Sequence, residues 1–137
     1  MIPTDLFDAA VVVRDNAYVP YSGYRVGCAL RGSNGTIYTG CNVENVSYGA
    51  AICAERSAIM TMVSQGCTEI MELVVVTEDG GTPCGLCLQV IAEFISPAAV
   101  IWCAGSTGHF ERYSFADLMP NAFRSDRVGR ATDASAE

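Results

Sequence analysis

Lysine is missing from this chain, and basic residues of any kind are scarce. Eight arginines stand against fifteen acidic residues, which gives a formal net charge of −7 at pH 7. A protein that binds a long phosphate backbone needs a clustered basic surface. The composition therefore argues against a polynucleotide partner and favours a small neutral substrate, and we attribute the negative charge to solubility alone.

A long apolar run is missing as well. The best candidate, residues 90–103, is interrupted by Glu93 and Pro97, so no stretch reaches the length that spans a membrane. The first five residues are neither basic nor followed by a long apolar run, which argues against a cleavable secretion signal. We therefore expect a cytoplasmic protein whose seven cysteines, an odd number, are reduced thiols.

The order of the predicted elements indicates an α/β fold. Periodicity and turn signals predict, in chain order, a helix over 4–16, strands over 26–30 and 36–41, a helix over 51–65, a strand over 73–77, a helix over 85–95, a strand over 100–103, and a weaker strand and helix over 108–118. Strand–helix alternation after a hairpin predicts a three-layer α/β/α sandwich with a mixed sheet. We expect one catalytic domain over residues 1–123 and a flexible tail over 124–137.

Two local signals mark the ends of these elements. Thr4 or Asp5 is the expected N-cap of the first helix, because both side chains accept hydrogen bonds from free backbone N–H groups. Asn34-Gly35 predicts the hairpin turn, since both residue types tolerate a positive φ.

Three cysteines carry the chemistry that this sequence predicts. Cys53 opens the run Cys53-Ala54-Glu55, and Cys84 and Cys87 follow in the run Pro83-Cys84-Gly85-Leu86-Cys87. Three thiolates suit Zn²⁺, and a tetrahedral ion with three protein ligands keeps one position open for water, as catalytic zinc sites do. Glu55, two residues after a ligand, is placed to move the proton of that water. The pattern predicts a hydrolytic zinc site.

The ligands are predicted to lie at helix N-termini, Cys53 at the second helix and Cys84 with Cys87 at the third. Free N–H groups and the helix dipole favour thiolates there. Zn²⁺ with three thiolates has a net charge of −1, and Arg56 is placed to offset it by donating hydrogen bonds to ligand sulfurs.

Two other interpretations of the cysteines stay open on the residues alone. A C-x-x-C pair between a strand and a helix is also the context of a thiol oxidoreductase, although that interpretation leaves Cys53 and Glu55 unexplained. A structural zinc would need a fourth thiolate from the remaining cysteines, which we predict to be small buried side chains: Cys28, Cys41, Cys67 and Cys103. His109, the single histidine, lies in a weakly patterned region and is not expected to bind metal.

These motifs and several others resemble one family. C-A-E followed by P-C-x-x-C is similar to the signature of zinc nucleoside deaminases, and a cysteine at the position of Cys53 resembles the small homotetrameric cytidine deaminases. The other stretches that look like this family are Tyr18-Val19-Pro20-Tyr21-Ser22, Val26-Gly27, residues 39–45, Ser47-Tyr48-Gly49, Gln89-Val90, and Leu118-Met119-Pro120 with Phe123. The resemblance covers residues 5–123 in unbroken order.

The resemblance implies hydrolytic deamination of cytidine and 2′-deoxycytidine to the uridines with release of ammonia, as in pyrimidine salvage. It implies one Zn²⁺ per chain, held by Cys53, Cys84 and Cys87, and Glu55 as proton shuttle. Arg56 and Gln89 are implied to support the ligand sulfurs. The implied substrate-binding residues are Tyr24 beside the base, Asn42 and Glu44 at the ribose 3′-hydroxyl, Ala54, and Tyr48 and Phe123, which reach pockets of neighbouring subunits in a homotetramer.

The chain departs from the family pattern at three places. Tyr24 stands where the family has Phe, which keeps a flat stacking surface and adds a hydroxyl. Leu88 stands where Arg is common, which removes a charge near the zinc loop. Ala50-Ala51 replace a larger residue followed by Thr, which predicts a roomier pocket wall or interface. The last two differences keep open a deaminase of another aminopyrimidine nucleoside or nucleoside antibiotic. A third hypothesis is a zinc- or nucleoside-binding protein without turnover, but the presence of Glu55 argues against it.

Overall fold

A five-stranded mixed sheet is the centre of the computed structural model, which describes residues 1–125. Its strands are β1 (Gly27–Gly32), β2 (Ile37–Cys41), β3 (Ile70–Thr77), β4 (Ile95–Gly105) and β5 (Phe110–Ser114). Their spatial order is β2-β1-β3-β4-β5, in which β3 and β4 run parallel and the other neighbours run antiparallel. The predicted mixed sheet is confirmed.

Helices cover both faces of this sheet. They are α1 (Thr4–Arg14), α2 (Ala54–Ser64), α3 (Gly85–Phe94) and α4 (Phe115–Leu118), with a 3-10 turn at Tyr48–Ala50. Leu6 and Ala10 of α1 pack in one apolar cluster, and Ile59 of α2 and Ile91 of α3 pack in the other, on the opposite face. The α/β/α layering is therefore as predicted. None of the helices described is long and apolar enough to cross a membrane.

The sequence of strand β3 contains a continuous apolar run because both faces of the strand are buried. Val74 and Val76 point into the cluster with α1, whereas Leu73 and Val75 point into the cluster with α2 and α3. Successive side chains alternate across a strand, so a strand buried on both faces needs apolar residues at every position.

Two features of the sheet position the helices that carry the predicted ligands. Gly40 of β2 lies directly against α2, because a Cβ there would come within 2.4 Å of Ala58 N and 2.8 Å of Ala54 O. β3, α3 and β4 form a β-α-β unit, so the carboxyl end of β3 leads through residues 78–84 to the first turn of α3. Ligand sites of α/β sheets commonly lie at such strand ends.

Three local predictions need correction. The N-cap of α1 is Pro3 and makes no side-chain cap; Asp5 lies inside the first turn, where its Oδ1 accepts from Leu6 N at 2.8 Å. In the hairpin turn only Gly35 has a positive φ, 81°, and Asn34 acts through its side chain, which accepts from Thr36 N at 3.1 Å. Helix α2 begins at Ala54 rather than near residue 51, because Ile52 is in an extended bridge with Val43. Residues 126–137 of the predicted tail lie outside the described residues.

Candidate active site

The three predicted ligands lie at the N-termini of two helices. Cys53 is the N-cap of α2 and Cys84 is the N-cap of α3, and both have extended backbone with no side-chain cap. Cys87 is buried in the first turn of α3. Because the N-cap thiols do not bond to their own helices, they are free to turn toward one another. This is the arrangement that the sequence predicts.

The sulfur geometry fits a tetrahedral metal ion. Cys84 Sγ lies 3.4 Å from Cys87 Sγ and 3.9 Å from Cys53 Sγ, and all three sulfurs lie within 4.8 Å of one another. Tetrahedral Zn²⁺ with Zn–S bonds of about 2.3 Å sets its sulfurs about 3.8 Å apart. Among residues 1–125 this is the one cluster of metal-ligating side chains, so no fourth cysteine completes a structural zinc site.

Hydrogen bonds within the cluster favour a thiolate at Cys53. The pKa of Cys53 falls to about 5, first because the Cys87 thiol donates to its sulfur and then because the Arg56 guanidinium lies beside it, against an opposing effect of burial. The same bond raises the pKa of Cys87. Arg56 Nη2 lies 3.6 Å from Cys53 Sγ, within reach of the ligand sulfur that it is predicted to support. Within the described part of the chain, Arg56 Nε is buried without a partner.

Glu55 is a buried carboxyl beside the cysteine cluster. It is the second residue of α2 and is 4% exposed. Burial is the main cause that raises its pKa, and the negative charge on Cys53 adds to the effect. A carboxyl group whose charged form is disfavoured takes up a proton more readily than an exposed one. Its position suits the transfer of protons to a molecule held near the three sulfurs.

A cavity of about 210 Å³ opens beside these groups. Ala54, which is fully buried, and Glu55 contribute to its wall, and apolar side chains from β3 and the segment before β1 contribute further surface. The residues that line it are Tyr24, Val26, Asn42, Cys53, Ala54, Glu55, Val75, Thr77, Gly81, Thr82, Pro83 and Cys84. The cavity thus brings Tyr24 and Asn42 together with the metal ligands.

Asn42 is already part of a backbone clamp. Its Oδ1 accepts from Val26 N at 2.9 Å, and its Nδ2 donates to Tyr24 O at 2.8 Å. A side-chain amide has two donor hydrogens and two acceptor lone pairs, so one of each stays available. Asn42 therefore holds the segment before β1 and still presents hydrogen-bonding capacity at the cavity.

Glu44 holds the neighbouring loop. Its Oε1 accepts from Tyr21 N at 3.0 Å and Ser22 N at 3.1 Å, and its Oε2 accepts a short hydrogen bond from Ser22 Oγ. These bonds, led by the Ser22 hydroxyl, lower the pKa of Glu44. Glu44 does not line the cavity of its own chain. Sequence reasoning missed Ser22 as its partner, although the two are only twenty-two positions apart.

Two aromatic residues of the predicted site do not line the cavity of their own chain. Tyr48 is 78% exposed and Phe123 is 59% exposed, and neither lines the cavity. The ring of Tyr21 meets that of Tyr48 edge to face, with centroids 5.9 Å apart. A surface of this kind suits contact with another protein chain.

Gln89 makes a hydrogen bond outside the cysteine cluster, and its support of the ligand sulfurs stays a prediction. Its Nε2 donates to Phe123 O at 2.8 Å and thereby ties α3 to the segment after α4. Two positions along a helix turn a side chain by about 200°, so Gln89 leaves the face on which Cys87 is buried. His109 stands apart from the cluster, with Nε2 3.3 Å from Asp79 O.

The positions at which the chain differs from the family pattern differ in burial. Leu88 is buried in the apolar cluster under α3, where a leucine packs well and a charged side chain would need a partner. Ala50 is exposed and Ala51 half-buried, and neither lines the cavity, so this chain alone gives no roomier pocket wall there.

Thr77 and Asp79 belong to the site although sequence reasoning missed both. Thr77 is buried and lines the cavity at the carboxyl end of β3, and Asp79 Oδ1 accepts from the Tyr24 hydroxyl at 2.8 Å. The signal available in the sequence was their place directly at the end of a buried strand, just before a predicted ligand.

The chain is similar to proteins of known activity over most of its length. The family model of the cytidine and deoxycytidylate deaminase zinc-binding region matches residues 3–104. A cytidine deaminase of Sporosarcina psychrophila is 42% identical over 122 residues, which cover 88% of this chain and 90% of the relative. One of Mycobacterium tuberculosis H37Rv is 39% identical over 117 residues, which cover 83% of this chain and 84% of the relative.

Solved structures agree with these sequence matches. The cytidine deaminase of Burkholderia pseudomallei has a TM-score of 0.84 at 38% identity, covering 90% of this chain and all of its own. That of Mycobacterium tuberculosis has a TM-score of 0.76 at 36% identity, covering 88% of this chain and 95% of its own. Both fold and sequence therefore extend the likeness well beyond the cysteine motifs.

Proposed function

The chain belongs to the cytidine deaminase family of zinc-dependent hydrolytic enzymes, and from that premise we propose that it converts cytidine and 2′-deoxycytidine to the corresponding uridines. The observation that carries the proposal is a cluster of three thiols within 4.8 Å of one another, beside a buried carboxyl on one cavity. Water is the second reactant: a C4–O bond forms, the C4–N bond breaks, and ammonia leaves.

The metal site supplies one part of the chemistry. Cys53, Cys84 and Cys87 would hold Zn²⁺, which when bound would supply the Lewis acid that makes water a better nucleophile. Arg56, 3.6 Å from Cys53 Sγ, donates to that sulfur and offsets the excess negative charge of three thiolates.

Glu55 moves the protons of the reaction. It accepts a proton from the attacking water and delivers it to N3 of the ring. It then accepts the second proton, from the new C4 hydroxyl, and passes it to the departing amino group, so that two protons are taken up and two are delivered. Burial suits this role because it removes competing water and raises the pKa of the carboxyl, which eases proton uptake.

The pocket wall orients the nucleoside. The ring of Tyr24 offers a flat surface for the pyrimidine, and Ala54 closes the wall next to the ligands. The remaining hydrogen-bonding groups of Asn42 and Glu44 bind the ribose 3′-hydroxyl, which suits a neutral diol. Their bonds to the chain's own backbone support this role, because they hold both side chains in place before the substrate arrives.

The complete pocket belongs to an assembly in this proposal. We infer a homotetramer in which Tyr48 and Phe123 close pockets of neighbouring subunits, supported by their exposure and by their absence from the cavity of their own chain. Residues 1–123 form the catalytic domain, and the enzyme serves pyrimidine salvage in the cytoplasm.

A direct assay tests the proposal. The purified protein, analysed for metal, is incubated with cytidine, and conversion to uridine is followed by ultraviolet absorbance. We expect turnover by protein that holds about one zinc per chain, and loss of turnover after chelation. Zinc-loaded protein that leaves both cytidine and 2′-deoxycytidine unchanged contradicts the proposal. Turnover of another aminopyrimidine nucleoside in that case would instead favour the sister activity.

A further inference from the structure

The hydroxyl of Tyr24 joins two segments of the pocket wall that are far apart in sequence. Tyr24 Oη donates to Asp79 Oδ1 at 2.8 Å, across fifty-five positions of the chain. We propose that Asp79 is a positioning residue for substrate binding: it holds the Tyr24 ring in a fixed position relative to the loop that leads to Cys84. This inference rests on the proposed function, because it takes the Tyr24 ring as the surface that meets the nucleoside base.

Asp79 is held firmly enough to act as an anchor. Its Oδ1 also accepts from Thr77 Oγ1 at 3.2 Å and from Gly81 N at 3.3 Å. Thr77 Oγ1 in turn accepts from Gly80 N at 2.7 Å and Gly81 N at 3.0 Å, and Thr77 is only 3% exposed. A buried hydroxyl at the end of β3 therefore fixes the turn that presents the Asp79 carboxylate.

The turn is shaped to receive the tyrosine ring. Gly80 has a φ of 82°, a left-handed conformation that glycine adopts without strain. A Cβ at Gly81 would lie 3.2 Å from Tyr24 Oη, so a side chain there would crowd the hydroxyl. Asp79, Gly80 and Gly81 thus form the surface that receives the end of the Tyr24 side chain.

The main chain of Tyr24 is fixed by the residues assigned to the ribose. Tyr24 N donates to Ser22 Oγ at 3.0 Å, and Ser22 Oγ bonds to Glu44. Tyr24 O accepts from Asn42 Nδ2 at 2.8 Å. The main chain of Tyr24 is therefore tied to the residues assigned to the ribose. Its hydroxyl is tied, through Asp79, to the loop before Cys84.

The hydrogen bond between Tyr24 and Asp79 is assisted by charge. The Tyr24 hydroxyl is the leading cause that keeps the pKa of Asp79 below its usual range, so the carboxylate is ionised at neutral pH. Hydrogen bonds to an ionised acceptor are stronger than neutral ones. A ring held in place before binding loses less freedom on binding, so the bond favours affinity for the nucleoside. Because Asp79 does not line the cavity, removal of its carboxylate should raise KM more than it lowers kcat.

A double-mutant cycle on the zinc-loaded enzyme tests this assignment. Tyr24→Phe removes only the hydroxyl and leaves the other bonds of Asp79 in place, whereas Asp79→Ala removes the acceptor. We expect each change alone to raise KM for cytidine about threefold to tenfold, with kcat within about twofold. The double variant should have a KM no more than about twofold above the weaker-binding single variant, because both changes remove one interaction. Asp79→Asn, which keeps an acceptor oxygen, should recover part of the affinity.

The controls separate this idea from loop damage and from failure of the proposed activity. Glu78→Gln removes one charge from the same loop at an exposed ion pair with Arg14 and should leave KM within about twofold. The positioning role is overturned if Tyr24→Phe leaves KM unchanged while Asp79→Ala raises it, or if the two effects on KM multiply. The wild-type assay comes before the variants, because a wild-type enzyme that does not act on cytidine overturns the proposed function itself.

Discussion

The residues assigned to the metal and those assigned to the sugar are held in different ways. We call Cys53, Glu55, Cys84 and Cys87 the metal half; they lie in the first turns of α2 and α3, which pack on the sheet. We call Asn42, Glu44 and Tyr48 the sugar half; they lie between β2 and α2, in loop and a single 3-10 turn. Glu55 is 4% exposed, whereas Tyr48 is 78% exposed.

This difference bears on which part of the proposed site one chain would build alone. The three sulfurs and the carboxyl of the metal half are brought together by the core of a single subunit. In the sugar half, Glu44 and Asn42 bond mainly to the chain's own backbone, and Tyr48 does not line the cavity. We therefore expect changes in the metal half to abolish chemistry within one subunit, and changes in the sugar half to act on binding and across subunits.

Loss of the proton shuttle should have the largest effect. Glu55→Gln keeps the shape of the side chain but cannot move a proton, so kcat should fall by about 10³-fold or more while zinc content stays unchanged. Steady-state assays and metal analysis on the same preparation measure both quantities. Glu93→Gln, at an exposed carboxylate near the C-terminal end of α3, is the matched control. Activity of Glu55→Gln within tenfold of the wild type removes Glu55 from the mechanism.

Loss of a metal ligand should come next. Cys84→Ser replaces a thiolate by a poor ligand, so activity should fall about 100-fold, in proportion to the zinc that is lost. Added Zn²⁺ should restore little of it. Cys67→Ser, at a buried cysteine outside the cluster, should retain its zinc. A Cys84→Ser protein with full zinc and full turnover would show that the metal lies elsewhere.

A change at the exposed aromatic residue should be smaller and should leave the fold intact. Tyr48→Ala removes a ring that is absent from the cavity of its own chain, so kcat/KM should fall about tenfold if it closes a neighbouring pocket. Zinc content should be unchanged, and the melting temperature should fall only slightly because the ring is largely exposed. Val46→Ala, at an equally exposed apolar residue, is the control. Wild-type kcat/KM in Tyr48→Ala contradicts the assignment.

The smallest predicted effect is at Ser22. Ser22→Ala removes the hydroxyl that bonds Glu44 and accepts from Tyr24 N, so KM for cytidine should rise about threefold with kcat little changed. Ser64→Ala, whose hydroxyl bonds only Thr61 O at the end of α2, should leave KM unchanged. An effect of Ser22→Ala on kcat alone would move Ser22 out of the role of a binding support.

The metal half was readable from the sequence because its geometry is local. Cys84 and Cys87 are one helical turn apart, and thiolates at helix N-termini follow from the helix dipole. Asn42 and Glu44 carry no such local signal and entered through family resemblance. Gln89 was also assigned through resemblance; its Nε2 donates to Phe123 O, and its support of the ligand sulfurs stays a prediction. Asp79 was missed because its link to Tyr24 depends on the folded packing of distant segments.

The fold shows the same division between local and long-range information. Apolar runs and turn residues predicted the strands and helices in the right order, and the continuous run of β3 reflects burial on both faces. The close approach of α2 to Gly40 could not be read in advance, because it depends on how a helix lies across a neighbouring strand. The N-cap of α1 differed since Asp5 bonds within the first turn instead.

Mixing two impaired variants tests most directly whether Tyr48 of one subunit completes the site of a neighbouring subunit. Glu55→Gln supplies intact Tyr48, and Tyr48→Ala supplies intact Glu55, so mixed oligomers would contain some sites with both. After joint unfolding and reassembly with Zn²⁺, we predict kcat/KM clearly above the sum of the two variants treated separately. Native mass spectrometry establishes that mixed oligomers have formed. Mixed oligomers without any gain in kcat/KM would contradict the account, because each site would then be built by one chain alone.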